Sequence, residues 1–136
     1  MNNFSFKDIK IGMTYKMKKK INLEILNKFI QLTGDINPLH NNIDYAKKKG
    51  FSNILIPGFL CSSFYSKFVG VYLPGKKCLL ISNKTDFKKP IYPNSELKYV
   101  GKVIRKNNKF KIIDIRINIF VKKTLCIDSI ICVNII

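Results

Sequence analysis

A chain of 136 residues, 46% of them hydrophobic, can bury one real core but not two, so disorder is excluded and a single domain over 1–136 is expected. No run reaches the roughly 18 apolar residues of a membrane span, and the start, Met1-Asn2-Asn3-Phe4-Ser5-Phe6-Lys7-Asp8, lacks the basic-then-apolar order of a secretion signal, which makes a cytoplasmic protein the expectation. The formal charge of +17 invites nucleic acid, yet the lysines are scattered and only Arg105 and Arg116 among 25 basic residues are arginines, so a solvated surface suited to a small polyanion or an acidic carrier protein is expected instead.

Along the chain, the first half reads as helix and loop and the second as strands. Asn22 suits a helix N-cap, Glu24 the first turn, and Leu23, Leu26, Phe29 and Ile30 form a stripe that ends before Gly34. A short helix around Ile43–Lys49 follows, closed by Gly50. The segment from Pro57 to Gly75 carries one charge, Lys67, and apolar residues on nearly every face, the pattern of a buried helix. Pro57 and Pro74-Gly75 mark its ends.

After Gly75 the period changes to two. A strand is expected near 78–88, and another contains Leu97, Tyr99 and Val103, with a turn at Asn107-Asn108. Ile113, Ile115, Ile117, Ile119 and Val121 then alternate with Asp114, Arg116, Asn118 and Phe120. Leu125, Ile127, Ser129, Ile131 and Val133 make a second alternating set. The fold class that follows is α+β: an antiparallel meander with one face covering a buried central helix.

One loop concentrates the chemistry. The run Thr33-Gly34-Asp35-Ile36-Asn37-Pro38-Leu39-His40 holds the only histidine of the chain. Gly34 terminates a helix and Pro38 biases Asn37 away from one, so Asp35, Asn37 and His40 share a connecting segment, where function resides more often than packing. The cysteines at 61, 78, 126 and 132 form no CxxC pair and do not cluster with the histidine. They read as reduced, mostly buried thiols, and no metal site is expected. No Gly-x-Ser-x-Gly elbow is present, which argues against a serine hydrolase.

The run Thr33-Gly34-Asp35-Ile36-Asn37-Pro38-Leu39-His40-Asn41-Asn42 resembles the signature of the MaoC-like hydratases, the (R)-specific enoyl-CoA hydratases. The segment from Pro57 to Gly75 is similar to the same family, with Gly58-Phe59-Leu60 at the helix start and Leu73-Pro74-Gly75 at its end. The resemblance runs from about Phe6 to the C-terminal strands. It implies a hot-dog fold, an antiparallel sheet wrapped around a buried central helix, and a homodimer without cofactor or metal. By it Asp35 and His40 are the catalytic pair and Asn37 helps to hold their loop. Gly58 matches the residue whose backbone N–H receives the thioester carbonyl oxygen, and Ser66 matches a serine near the active site. Two positions depart from the family: Pro57 stands where a histidine is frequent, and Asn42 where an aspartate is common.

The chemistry implied is hydration of a trans-2-enoyl thioester, with water delivered to C3 and a proton to C2. A carboxylate and an imidazole sharing one water can perform both transfers on one face, and either can act as base. A preorganised N–H at Gly58 would hold the developing oxyanion. The substrate is then an acyl-CoA or its acyl carrier protein counterpart, the latter making the chain a 3-hydroxyacyl dehydratase of fatty-acid or polyketide synthesis. A hot-dog protein that binds acyl thioesters without turnover is the competing class, and a nucleic-acid binder a third.

Overall fold

The computed structural model describes residues 1–136. Its elements run β1 (Thr14–Lys20), α1 (Leu23–Thr33), α2 (Pro38–Asn41), α3 (Ile43–Lys48), α4 (Gly58–Ser63), α5 (Tyr65–Lys67), a π-helical turn (Phe68–Tyr72), β2 (Cys78–Phe87), β3 (Glu96–Asn107), β4 (Ile112–Val121) and β5 (Thr124–Ile135). The five strands form one antiparallel sheet in the order β1-β3-β4-β5-β2. No helix is long and apolar enough to cross a membrane.

The strands follow from the alternation. Opposed pairs such as Ile113 with Val133, Ile115 with Ile131 and Ile119 with Ile127 line the inner face and are fully buried. The segment 58–73 lies against that face and buries Leu60, Cys61, Tyr65, Phe68, Val69 and Leu73. The helix comes close enough that a Cβ on Gly101 of β3 would lie 2.4 Å from the Phe68 ring. A glycine is needed there because the aromatic ring occupies the space of a side chain.

That central segment is not the uninterrupted helix the sequence suggests. It breaks at Phe64 between α4 and α5 and widens into the π turn, where Leu73 N–H donates to Phe68 O at 3.0 Å, five residues back. Ser62 Oγ and Ser63 Oγ donate to the carbonyls of Phe59 and Leu60 at 3.3 and 2.7 Å. These short hydroxyls compete with the main chain for the same acceptors and loosen the ladder at that point.

Strand β1 is the second difference, since the N-terminal half reads as helix and loop. Its sequence Thr-Tyr-Lys-Met-Lys-Lys-Lys hides the alternation, because only Tyr15 and Met17 bring apolar bulk to the inner face. It is an edge strand pairing with β3 alone, and lysines on an edge oppose further pairing. In α1 the cap is as expected: Asn22 Oδ1 accepts from Ile25 N–H at 3.0 Å, and Gly34 closes the helix at φ 71°. Its buried stripe is shifted, however. Leu23 is half-exposed, while Ile25 packs on the core beside Leu26, Phe29 and Ile30.

Candidate active site

The loop after α1 is organised by its own short side chains. Asp35 N–H donates to Thr33 Oγ1 at 3.3 Å, Asn37 N–H to Asp35 Oδ1 at 3.2 Å, and Leu39 N–H to Asn37 Oδ1 at 3.0 Å. Asn37 is thus the N-cap of α2, with Pro38 at the first helical position where its missing N–H does no harm. One turn of helix then carries His40 inward. Asn42 Oδ1 caps α3 by accepting from Tyr45 N–H at 2.9 Å, a task an aspartate would perform equally.

His40 is held from behind. Its Nδ1 lies 2.8 Å from Leu55 O, and because a carbonyl only accepts, Nδ1 carries the proton. With Nδ1 as the donor, the neutral form of the ring presents Nε2 as a lone pair, and Nε2 lies 3.8 Å from Asp35 Oδ2. Asp35 has committed Oδ1 to the loop and leaves Oδ2 facing the ring. Two acceptors at that spacing cannot bond each other, but a water or hydroxyl between them can donate to both. The imidazole side chain is 15% exposed and the carboxylate 36%, so the pair is sheltered yet reachable.

Beside His40 opens a cavity of about 450 Å³. Its floor is Ile56, Cys61, Ile91 and Ile127, all buried, and its rim includes Phe59, Phe87, Lys88 and Lys89, all exposed. Phe59 and Phe87 meet edge to face at 5.9 Å between ring centroids. Burial pushes the Cys61 thiol up to about 12, so it is a neutral wall group and not a nucleophile.

Gly58 also lines the cavity. It opens α4, where Leu60 N–H and Cys61 N–H both donate to Pro57 O at 3.0 and 3.2 Å. The N–H groups of Gly58 and Phe59 precede them and have no acceptor within the chain. The Phe87 ring packs on Gly58 so closely that a Cβ there would lie 2.5 Å from it.

The structure therefore brings His40 and Gly58 to one cavity, with Asp35 against the imidazole and Asn37 underneath the loop. Ser66 is exposed on α5 and does not line that cavity. Sequence reasoning misses the Leu55 carbonyl, the Phe59–Phe87 pair and the two rim lysines. The run Phe87-Lys88-Lys89-Pro90 at a strand end is the one local signal that marks them.

The family model described as MaoC like domain matches residues 7–123. A mitochondrial 3-hydroxyacyl-[acyl-carrier-protein] dehydratase of Solanum lycopersicum is 32% identical over 89 residues, 65% of this chain and 53% of its own. An (R)-specific enoyl-CoA hydratase of Rhodospirillum rubrum is 34% identical over 86 residues, 63% of this chain and 60% of its own. The chain spans little more than half the length of these curated relatives. Among solved structures, the (R)-hydratase from A. caviae involved in PHA biosynthesis superposes with a TM-score of 0.91 at 23% identity, covering 96% of this chain and 99% of that one. The shared architecture is the hot-dog fold.

Proposed function

The chain belongs to the family of MaoC-like domains, and we propose that it is a hydro-lyase interconverting trans-2-enoyl and (R)-3-hydroxyacyl thioesters. The observation that carries this reading is the facing pair of acceptors, His40 Nε2 and Asp35 Oδ2 at 3.8 Å, beside an apolar cavity that opens on unpartnered N–H groups at 58 and 59. The enoyl group lies in the cavity with its thioester oxygen on those donors. Water held between the pair loses a proton to one of them as its oxygen bonds to C3. The negative charge passes through C2 to the thioester oxygen, where the backbone donors stabilise it. The proton then returns to C2 on the same face, which makes the addition syn. Asn37 and Leu55 O hold the pair, and neither takes part in proton transfer.

The same steps reversed are a dehydratase reaction on an acyl carrier protein. Lys88 and Lys89 at the cavity rim favour a carrier with phosphate or acidic groups, which both acyl-CoA and that protein supply. We read the chain as a cytoplasmic homodimer. The four cysteines are unpaired thiols, suited to a reducing compartment. Strand β2 is an unpaired edge of ten residues that exposes Leu79, Leu80 and Ile81, and a second copy adding its own β2 would cover it.

Crotonyl-CoA mixed with the purified protein should lose its conjugated thioester absorbance, with (R)-3-hydroxybutyryl-CoA as the product. Saturable binding without turnover on either CoA-linked or carrier-linked enoyl groups would replace the hydratase reading with that of an acyl-thioester binder.

A further inference from the structure

A second cavity, of about 580 Å³, has no place in the chemistry above. It is lined by Ser5, Lys7, Lys77, Lys106, Asn108 and Lys111, with Phe6 and the last two isoleucines as its apolar wall. Four lysines thus line one concavity, and no acidic side chain is among its lining residues. Lys7, Lys77 and Lys111 are exposed and form no salt bridge. Asp8, whose carboxyl pKa is lowered first by Ser5 and last by the Lys77 charge, already accepts from Ser5 N–H and Oγ at 2.8 and 2.7 Å. Lys106 is different: its ammonium is tied to the carbonyls of Phe6 and Ile9 and lies over the Phe6 ring, so it fastens the N-terminal arm. Like charges gathered in a concave site focus a positive potential that a multiply charged anion relieves.

Within one protomer this cavity is remote from the catalytic one. Lys77 precedes the first residue of β2 and Lys88 follows the last, with ten residues between. A strand of that length spans about 30 Å. Pairing across a two-fold axis reverses the relation. When β2 lies antiparallel against its own copy, with the pairing centred on the strand, Cys78 stands opposite the partner subunit's Phe87, one strand spacing or about 5 Å away. Lys77 then comes beside the partner subunit's Lys88 and Lys89, at the rim of the partner's acyl cavity.

Building on the β2-paired dimer and the thioester reading, we propose that the lysine cavity of each protomer is the phosphate-binding half of its partner's active site, taking the phosphate groups of a CoA-type carrier. The arrangement divides the labour: the acyl group and C2–C3 are held in one protomer, and the anionic handle is held by Lys7, Lys77 and Lys111 of the other. A cavity of this size suits a compact polyphosphate rather than the broad face of an acidic protein.

The test compares the wild type with a K7A/K77A/K111A variant that keeps Lys106, and with a K16A/K98A/K102A control on the exposed face of β1 and β3. Calorimetry should show CoA binding weakened about tenfold in the first variant and unchanged in the control, with pantetheine binding equally to all three. KM for crotonyl-CoA should rise by the same factor, while a phosphate-free crotonyl N-acetylcysteamine thioester is hydrated as before. A mixed dimer then separates the two protomers, one subunit carrying D35N/H40A and the other the triple lysine substitution. It should retain one complete site with wild-type KM, because the intact dyad and the intact lysines meet across the interface. A raised KM in that mixed dimer, equal loss in the lysine control, or a monomer in solution would each overturn the proposal. A KM effect confined to carrier-protein substrates would assign the cavity to that protein instead. Absence of turnover in the wild type would strike the hydratase reading alone, since the CoA and pantetheine titrations still decide whether the lysine cavity binds phosphate.

Discussion

The two halves of the cavity beside His40, the proposed active site, are held by opposite means. The half that carries Asp35 and His40 is a surface loop fixed by directional hydrogen bonds from Thr33, Asp35 and Asn37. Its apolar residues Leu32 and Ile36 are 85% and 79% exposed and contribute little packing. The half formed by Cys61, Ile91 and Ile127 is buried and owes its shape to close packing against the sheet. Reacting groups need defined atom-to-atom vectors, which hydrogen bonds supply, whereas an acyl chain needs only a dry wall. Changes to the loop should therefore act on rate, and changes to the wall on stability.

The strongest break in that contrast comes from the dyad. Asp35→Asn and His40→Ala should each lower kcat for crotonyl-CoA by about 10²–10⁴, with thermal midpoints close to the wild type because neither side chain is part of the core. Retention of full turnover by either variant would strip that residue of its role. On the packed side, Gly58→Ala places a Cβ 2.5 Å from the Phe87 ring, and overpacking of this kind destabilises by about 1–3 kcal/mol. Phe87→Ala in the same chain should recover that loss by vacating the space. A double variant as unstable as Gly58→Ala itself would show that the glycine is required for some other reason. Asn37→Ala sharpens the comparison from the loop side, since it deletes the cap of α2 but no reacting atom. Loss of such a cap weakens local structure by about 1 kcal/mol, so kcat should fall several-fold while KM and the global thermal midpoint hold.

The same contrast explains what the sequence makes legible. Strands β4 and β5 announce themselves because each keeps an apolar face on the core, so isoleucines alternate with Asp114, Arg116, Asn118 and Asp128 on the other face. The loop is equally plain, because Asp35, Asn37 and His40 lie within six residues, and Asp35 and Asn37 each accept from the backbone N–H two residues on. Strand β1 stays hidden, since an edge strand needs only half an apolar face. The break at Phe64 depends on where two serine hydroxyls aim, which composition does not reveal. Phe87, Lys88 and Lys89 reach the site only through the register of β2 on β5, where Phe87 stands opposite Ile127. Leu55 acts through its carbonyl, a group every residue owns and no motif can flag.

The smallest difference to resolve lies inside the packed half, where one polar chain crosses it. Tyr65 Oη lies 2.6 Å from Ser129 Oγ, Ser129 Oγ lies 2.9 Å from Thr85 Oγ1, and Thr85 Oγ1 donates to Asn83 Oδ1 at 2.6 Å. Each hydroxyl has one hydrogen, so the donation at Asn83 fixes every other direction: Thr85 accepts from Ser129, and Ser129 accepts from Tyr65. Burial pushes the Tyr65 phenol up to about 12, which keeps it a donor throughout the neutral range. Ser129→Ala removes the middle link and strands the Tyr65 hydroxyl inside the core, a loss of about 1–3 kcal/mol. Tyr65→Phe removes only the first donor and leaves Ser129 still bonded to Thr85, so it should destabilise by about 1 kcal/mol or less. Urea titrations of the two variants measure the difference, and equal midpoints would mean that the chain of hydroxyls runs in the other direction.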